Sequence, residues 1–157
     1  MKIVILFGTE SGTSEFVSND LADAIADFDD NIEVEVSDMA DQFVGDIDLD
    51  AFHLIVCATY GEGDLPASAK PLYAELQGER PDLTGLRYAM FGLGDSSYED
   101  TYSLGSEIID KILAELGATR VGEYGRHDAT GRDDATDVAL AWLEGLQQSV
   151  LTAHANA

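Results

Sequence analysis

Six residues near the N-terminus have the types and spacing of a phosphate site: Thr9-Glu10-Ser11-Gly12-Thr13-Ser14. They follow a short apolar run and precede a segment with helical spacing, so they should open a helix. A helix start offers unpaired backbone N–H groups and a positive dipole end, both of which favour a phosphate. Four hydroxyls add donors, Gly12 allows close approach, and the segment contains no lysine or arginine. We therefore expect one phosphate monoester held by neutral donors. A hydroxyl-rich helix cap without a ligand would show the same sequence pattern.

Two further segments combine glycines with a tyrosine. The first is Thr59-Tyr60-Gly61-Glu62-Gly63-Asp64 and the second is Gly92-Leu93-Gly94-Asp95-Ser96-Ser97-Tyr98-Glu99-Asp100. Each follows an apolar run. Paired glycines at such a position indicate backbone dihedral angles that other residues rarely adopt, or an ordinary glycine turn. Two tyrosines on neighbouring loops can enclose a flat ring, and each such contact is worth about 0.5–1.5 kcal/mol beyond area burial. A phosphate cradle beside an aromatic slot is typical of a site for a ring-bearing mononucleotide.

The elements that must position these loops alternate between two kinds of segment. Short apolar runs predict strands over residues 3–7, 32–36, 52–58, 88–91 and 120–124. Helical spacing predicts helices between and after them, about five in all, with residues 41–50 left as a short helix or an irregular crossover. This alternation favours an α/β fold with a five-stranded parallel sheet of order 2-1-3-4-5 and helices on both faces. Ligands in such sheets sit outside the carboxyl ends of the strands, where all three loops fall.

Composition limits the classes of function. The 157 residues predict one domain over 1–150 and a flexible tail over 151–157. With 31 acidic and 8 basic residues and a net charge of -23, binding to nucleic acid or to an anionic membrane is disfavoured. The acidity instead indicates basic partners, a saline habitat, or both. No apolar run reaches the ~18 residues of a membrane span, and the N-terminal run is too short for a signal peptide, so we expect a cytoplasmic protein.

With these three motifs in order, the chain resembles the flavodoxin family over nearly its full length. The resemblance implies a three-layer flavodoxin-like sandwich that binds FMN and shuttles single electrons between redox proteins, as a monomer and not as an enzyme. It implies basic docking surfaces on those partners and an NADPH-dependent flavoprotein reductase as the donor. Residues 121–126 run almost directly toward the last helix, as in short-chain members. The motifs are most similar to the flavodoxin-like domains of diflavin reductases and their small free-standing relatives.

The resemblance also implies a role for each loop. The first loop would hold the flavin phosphate, through the residues Thr9, Ser11, Gly12, Thr13, Ser14 and the amide of Glu10. Tyr60 and Tyr98 would flank the isoalloxazine ring, and the Gly61 carbonyl would turn toward its N5 atom on reduction. The remaining cofactor-binding positions lie in the second and third loops and after the fifth strand: Thr59, Glu62, Gly63, Leu93, Gly94, Asp95, Asp100 and Asp128. No catalytic residue and no metal ligand is expected.

Three other functions remain as alternatives. A flavin-dependent enzyme with its own small substrate would need a cavity over the ring. A phosphoacceptor signalling module would need acidic residues after strands one and three and a lysine after strand five, where this chain has Gly8-Thr9, Ala58-Thr59 and Gly125-Arg126. The third alternative is a domain of a diflavin reductase. The start at Met1 and the short tail instead favour a free-standing protein.

Single residues outside the loops have plainer interpretations. We expect Trp142 in the core, because it shares helical spacing with apolar neighbours. The Glu10 side chain should point to water, away from the phosphate. Arg126 and Arg132 could contact a partner or balance nearby acids. The acidic residues expected near the ring edge should steer basic partners: Glu62, Asp64, Asp95, Glu99, Asp100, Asp128, Asp133 and Asp134.

Overall fold

The computed structural model describes residues 2–28, 31–60, 63–94, 103–129 and 131–147. Its strands are β1 Lys2–Gly8, β2 Glu33–Asp38, β3 Phe52–Ala58, β4 Arg87–Gly94, β5 Thr119–Arg120 and β6 Gly125–Asp128. Its α-helices are α1 Thr13–Phe28, α2 Lys70–Glu79, α3 Leu104–Glu115 and α4 Ala135–Leu146. Three short 3-10 helices complete the described elements, at Met39–Asp41, Val44–Asp46 and Ala67–Ala69.

All described strand pairs are parallel, and the sheet order is β2-β1-β3-β4-β5, with β6 also pairing with β4. The predicted order 2-1-3-4-5 is confirmed. The prediction of one continuous fifth strand over 120–124 is wrong, because β5 and β6 share that position. Arg120 is opposite Tyr88 and Gly125 is opposite Phe91. The four residues 121–124 therefore lie alongside only two residues of β4, 89 and 90. The extra length loops out at Gly122, whose φ is 77°, and pairing then resumes.

Helices cover both faces of the sheet and form two cores. The core beneath α1 and α4 includes Ile5, Phe91 and Trp142, and the opposite core beneath α2 and α3 includes Met90, Leu76 and Ile112. The Trp142 ring lies 5.2 Å from the Phe91 ring, and its indole N–H donates to the Glu123 carbonyl at 2.7 Å. The core location predicted for Trp142 is therefore confirmed. Because both faces are covered, β1 and β3 are buried along nearly their whole length.

The segment left undecided by the sequence, 41–50, belongs to an irregular crossover that contains two of the short 3-10 helices. Met39 and Val44 are buried there, and the Val44 amide donates to a Glu75 carboxylate oxygen at 2.5 Å. These turns take the place of the fifth helix that we expected, since the described part of the chain has four α-helices. Among the described helices, none is long and apolar enough to cross a membrane. The predicted tail, 151–157, lies outside the described residues.

Candidate functional site

The loops after β1, β3 and β4 meet at one edge of the sheet. The strands are direct neighbours and their ends are level, because Gly8 is opposite Cys57 and Cys57 is opposite Gly92. The described parts of the three predicted loops therefore lie together, as the strand order required.

The first loop folds back on itself before α1 begins. The Gly12 amide donates to the Thr9 hydroxyl at 2.8 Å, and the Phe16 amide donates to the Gly12 carbonyl at 3.1 Å. Gly12 has a φ of 98°, a left-handed conformation that glycine adopts without strain, and the space where a side chain would stand is open. The loop thus leaves an open face beside the first turn of α1, whose N–H groups have no acceptor within the helix.

Ser14 places an unsatisfied hydroxyl at the start of α1. Its side chain is fully buried, and its hydroxyl has no hydrogen-bond partner among the described residues. A buried polar group without a partner costs free energy, so such groups are rare and need a reason. Since Ser14 lies in the first turn of α1, a phosphate oxygen at the helix start would satisfy it. The residues present fit a phosphate monoester.

Glu10 is exposed, as expected, and also makes a contact that the sequence did not predict. Its carboxylate accepts a hydrogen bond from the Ala67 amide at 2.5 Å. The start of the 3-10 helix Ala67–Ala69 offers a free N–H that attracts a carboxylate. The Glu10 charge is thereby engaged by the chain that follows the second loop. Its amide remains a predicted phosphate donor.

The second loop is a tight hairpin. The Tyr60 amide donates to the Asp64 carbonyl at 2.9 Å, and the Asp64 amide donates to the Tyr60 carbonyl at 2.9 Å. Gly63 completes the turn with a φ of 111°. The Tyr60 side chain is 49% exposed, which leaves ring surface available for stacking. Gly61 and Glu62 lie outside the described residues.

Thr59 joins the second loop to the elements around the third. Its amide donates to the Leu93 carbonyl at 2.9 Å, and its hydroxyl accepts from the Gly105 amide at 3.0 Å. The hydroxyl is thus already engaged in holding α3 against the hairpin. A direct contact between Thr59 and a cofactor stays a prediction.

Of the third loop, the structure describes residues 92–94. Asp95, Tyr98 and Asp100 lie outside the described residues, so their predicted contacts stay predictions. Leu93 and Gly94 end β4 at the site edge.

At the rim, Asp128 ends β6 directly opposite Gly94, and the Ala129 amide donates to the Gly94 carbonyl at 2.8 Å. Asp128 therefore lies at the predicted edge, and its contact with the cofactor stays a prediction.

A buried hydroxyl network anchors the chain after the third loop. The Ser103 and Ser106 hydroxyls lie 2.8 Å apart, and the Ser106 and Tyr124 hydroxyls lie 2.6 Å apart. Burial raises the pKa of Tyr124 to about 12, so its hydroxyl keeps its proton at neutral pH. Arg126 packs on the Tyr124 ring at 4.0 Å and pairs with Glu107 at 2.9 Å. Of the two roles open for Arg126, balancing a nearby acid is the one that these contacts support.

Sequence patterns missed several residues that shape the site, among them Ser68, Gly105, Ser106 and Tyr124. Ser68 contacts Thr9 across 59 positions of the chain, and Thr59 contacts Gly105 across 46. Local spacing carries no signal for such contacts. The sequence signals that did indicate this edge of the sheet were the apolar run before Thr59 and the glycines in the loops.

A doubly wound parallel sheet with a phosphate cradle and an exposed tyrosine at its carboxyl edge defines a mononucleotide-binding α/β protein. The family model described as flavodoxin matches residues 5–142. The chain therefore belongs to the flavodoxin family and binds FMN.

Individual relatives agree with this assignment. The chain is 30% identical over 151 residues to the MioC homolog of Haemophilus influenzae, covering 94% of this chain and 100% of that protein. It is 35% identical over 152 residues to the NADPH–cytochrome P450 reductase of Candida tropicalis, covering 94% of this chain but spanning only 22% of the reductase. Its fold matches a flavodoxin from Pseudomonas aeruginosa with a TM-score of 0.79 at 31% identity, over 92% of this chain and 95% of that one.

Proposed function

We propose that this protein holds one FMN at the carboxyl edge of its sheet and passes single electrons between redox proteins, without a substrate of its own. The observation that carries the proposal is the buried Ser14 hydroxyl at the start of α1, which has no partner among the described residues and lies at the same sheet edge as the exposed Tyr60. Both features lie at the carboxyl edge of the sheet, where a ligand with a phosphate at one end and a flat ring at the other could contact the two of them. Bound FMN supplies the ability to accept and release electrons one at a time.

The residues of the chain bind and orient this group. The loop from Thr9 to Ser14 holds the phosphate through amides and hydroxyls, and Tyr60 covers one face of the ring. Tyr98 covers the other face, and the backbone of Gly61, Gly63, Leu93 and Gly94 contacts the ring edge. Asp95, Asp100, Asp128, Glu62 and Thr59 complete the rim of the site.

Charge at this edge favours basic partners. Asp64, Asp133 and Asp134 are exposed there, and Lys70 pairs with Asp64 at 3.3 Å between largely exposed side chains. Lys70 offsets one of these negative charges, which leaves the two exposed carboxylates of Asp133 and Asp134 to contribute to a negative surface. A net charge of -23 adds a long-range field that attracts positively charged docking surfaces.

The donor that we propose is an NADPH-dependent flavoprotein reductase. Support comes from the reductases that this chain resembles, of which it spans about a fifth. We further propose that residues 1–150 form the FMN-binding domain and that the protein acts as a monomer in the cytoplasm.

A redox titration of the FMN-loaded protein tests the proposal. We expect two separate one-electron steps, because the acidic edge disfavours the negative charge that accompanies the second electron; each 59 mV of separation is about tenfold in the equilibrium. Tyr60→Ala should bring the two steps closer together. Phe43→Ala removes another exposed ring, 61% exposed in the crossover, and should leave both potentials unchanged. A single two-electron step in the unmodified protein would refute one-electron transfer.

A further inference from the structure

Two distant segments are joined at the base of the phosphate loop. The Thr9 amide donates to the Ser68 hydroxyl at 2.7 Å, and the Ser68 amide donates to the Thr9 carbonyl at 3.2 Å. A third bond runs from the Ala67 amide to the Glu10 carboxylate at 2.5 Å. We call these three hydrogen bonds the Thr9–Ser68 clamp, which fixes two consecutive loop residues against the 3-10 helix Ala67–Ala69.

The clamp rests on tightly packed chain. Ala69 is completely buried, and a side chain added at Gly8 would approach Ala69 Cβ to 3.1 Å and Met39 Sδ to 2.9 Å. Gly8 therefore has little room to shift against these side chains. The base of the phosphate loop is held in position relative to the 3-10 helix Ala67–Ala69.

Hydrogen bonds connect Thr9 to the rest of the loop and to the start of α1. Its hydroxyl accepts the Gly12 amide at 2.8 Å, and Gly12 in turn accepts the Phe16 amide. Because the loop has no lysine or arginine, a phosphate there depends on neutral donors that must all point at it. Donors held in place before binding do not have to be ordered by the ligand, which improves affinity.

We infer that Ser68, which belongs to no predicted binding motif, is a positioning residue that sets the preference of this protein for FMN over riboflavin. It acts through Thr9 and needs no contact with the flavin. The two ligands share the ring and the ribityl chain and differ only in the phosphate, so loss of the clamp should affect FMN alone. The inference rests on the proposed function, since it concerns the same site.

Dissociation constants of FMN and riboflavin for the flavin-free full chain test this role. Ser68→Ala should weaken FMN binding about tenfold or more, because the Thr9 amide loses its acceptor, and should change riboflavin binding less than about twofold. Ser68→Thr keeps a hydroxyl and should restore most of the FMN affinity. Thr84→Ala removes a hydroxyl that bonds to Asp82 before β4, at the opposite edge of the sheet, and should alter neither constant.

A second pair of variants tests the third hydrogen bond of the clamp while Ser68 stays in place. Glu10→Gln and Glu10→Ala both remove one negative charge near the phosphate, but only glutamine retains an acceptor for the Ala67 amide. FMN should therefore bind at least about threefold more weakly to Glu10→Ala than to Glu10→Gln, with equal riboflavin binding. The phosphorus NMR signal of bound FMN should also shift in Ser68→Ala.

The outcomes separate the inference from the function on which it rests. Equal weakening of FMN and riboflavin in Ser68→Ala, or no weakening of either, would overturn the role of Ser68 while leaving the FMN site intact. Failure of the unmodified protein to bind FMN would instead overturn the proposed function.

Discussion

The amide of Gly105, in the first turn of α3, donates a 3.0 Å hydrogen bond to the hydroxyl of Thr59, just before the Tyr60 hairpin. The two residues also pack closely: a side chain on Gly105 would lie 2.6 Å from the Ala58 carbonyl oxygen and 2.9 Å from Thr59 Cα. This contact fixes the distance between the second loop and the helix that follows the third loop.

Gly105→Ala should therefore destabilise the fold and weaken FMN binding. The new methyl group meets backbone atoms, which cannot rotate away, so we expect a loss of about 1–3 kcal/mol in the free energy of unfolding. Gly78→Ala is the matched control, because that glycine lies in α2 with open space around it, and it should be neutral or stabilising by up to about 1 kcal/mol. Urea denaturation measures the free energy of unfolding of both variants. Equal stabilities for the two variants would show that the close approach at Gly105 is unimportant.

Ser14 and Ser18 form a natural pair for testing the phosphate site. Both hydroxyls are fully buried without a partner among the described residues, one helical turn apart. Ser14→Ala should weaken FMN binding about tenfold, whereas Ser18→Ala should leave it unchanged, because only Ser14 is in the first turn. Neither change should destabilise the flavin-free protein, since each removes an unsatisfied polar group. Isothermal titration with FMN decides the point, and comparable losses in both variants would argue against a phosphate at Ser14.

His53 should make stability depend on pH. It is buried at the start of β3, its Nδ1 donates to the Ala51 carbonyl at 3.0 Å, and burial lowers its pKa below 6.5 despite the nearby charges of Asp48 and Glu35. Below pH 6.5 the unfolded chain binds a proton that the folded state resists, so stability should fall from pH 7.5 to 5.5. The contribution is at most about 1.4 kcal/mol per pH unit.

The variant His53→Asn isolates this effect, because its amide can still donate to Ala51 but does not titrate. The free energy of unfolding of His53→Asn should change less between pH 7.5 and 5.5 than that of the unmodified protein. Most carboxylates titrate below this window and contribute little to the difference. Identical slopes in the two proteins would rule out His53 as the source.

Charge at the site edge should control how fast basic partners bind. Electron transfer from the reduced, FMN-loaded protein to a basic haem protein such as cytochrome c should slow as salt rises, because screening weakens the attraction. Asp133→Asn should lower the low-salt rate constant by about twofold, whereas Asp50→Asn, before β3 at the opposite edge, should not. Stopped-flow kinetics gives both values. Equal effects of the two neutralisations would indicate net charge alone and no local steering.

The parts of the fold predicted from sequence are those with strong local signals. The continuous apolar runs of β1 and β3 are typical of strands covered on both faces, and the glycines of the first two loops indicated turns, which the structure has at Gly12 and Gly63. From these runs and the strand–helix alternation the sheet order followed.

What escaped prediction depends on contacts between distant residues. The fifth strand is split where Tyr124 turns to the Ser106 hydroxyl, 18 positions away, and no apolar pattern marks that break. The contact of Glu10 was not predicted because its acceptor role depends on Ala67, 57 positions along the chain. Such pairs become visible only once the sheet has brought their loops together.

Structure determination of the FMN-loaded protein is the most direct test of the site. The phosphate should lie within hydrogen-bond distance of the Ser14 hydroxyl and the first-turn amides of α1, with the flavin ring against Tyr60. A phosphate bound elsewhere, or a ring that leaves Tyr60 exposed, would contradict this account of how the protein holds its cofactor.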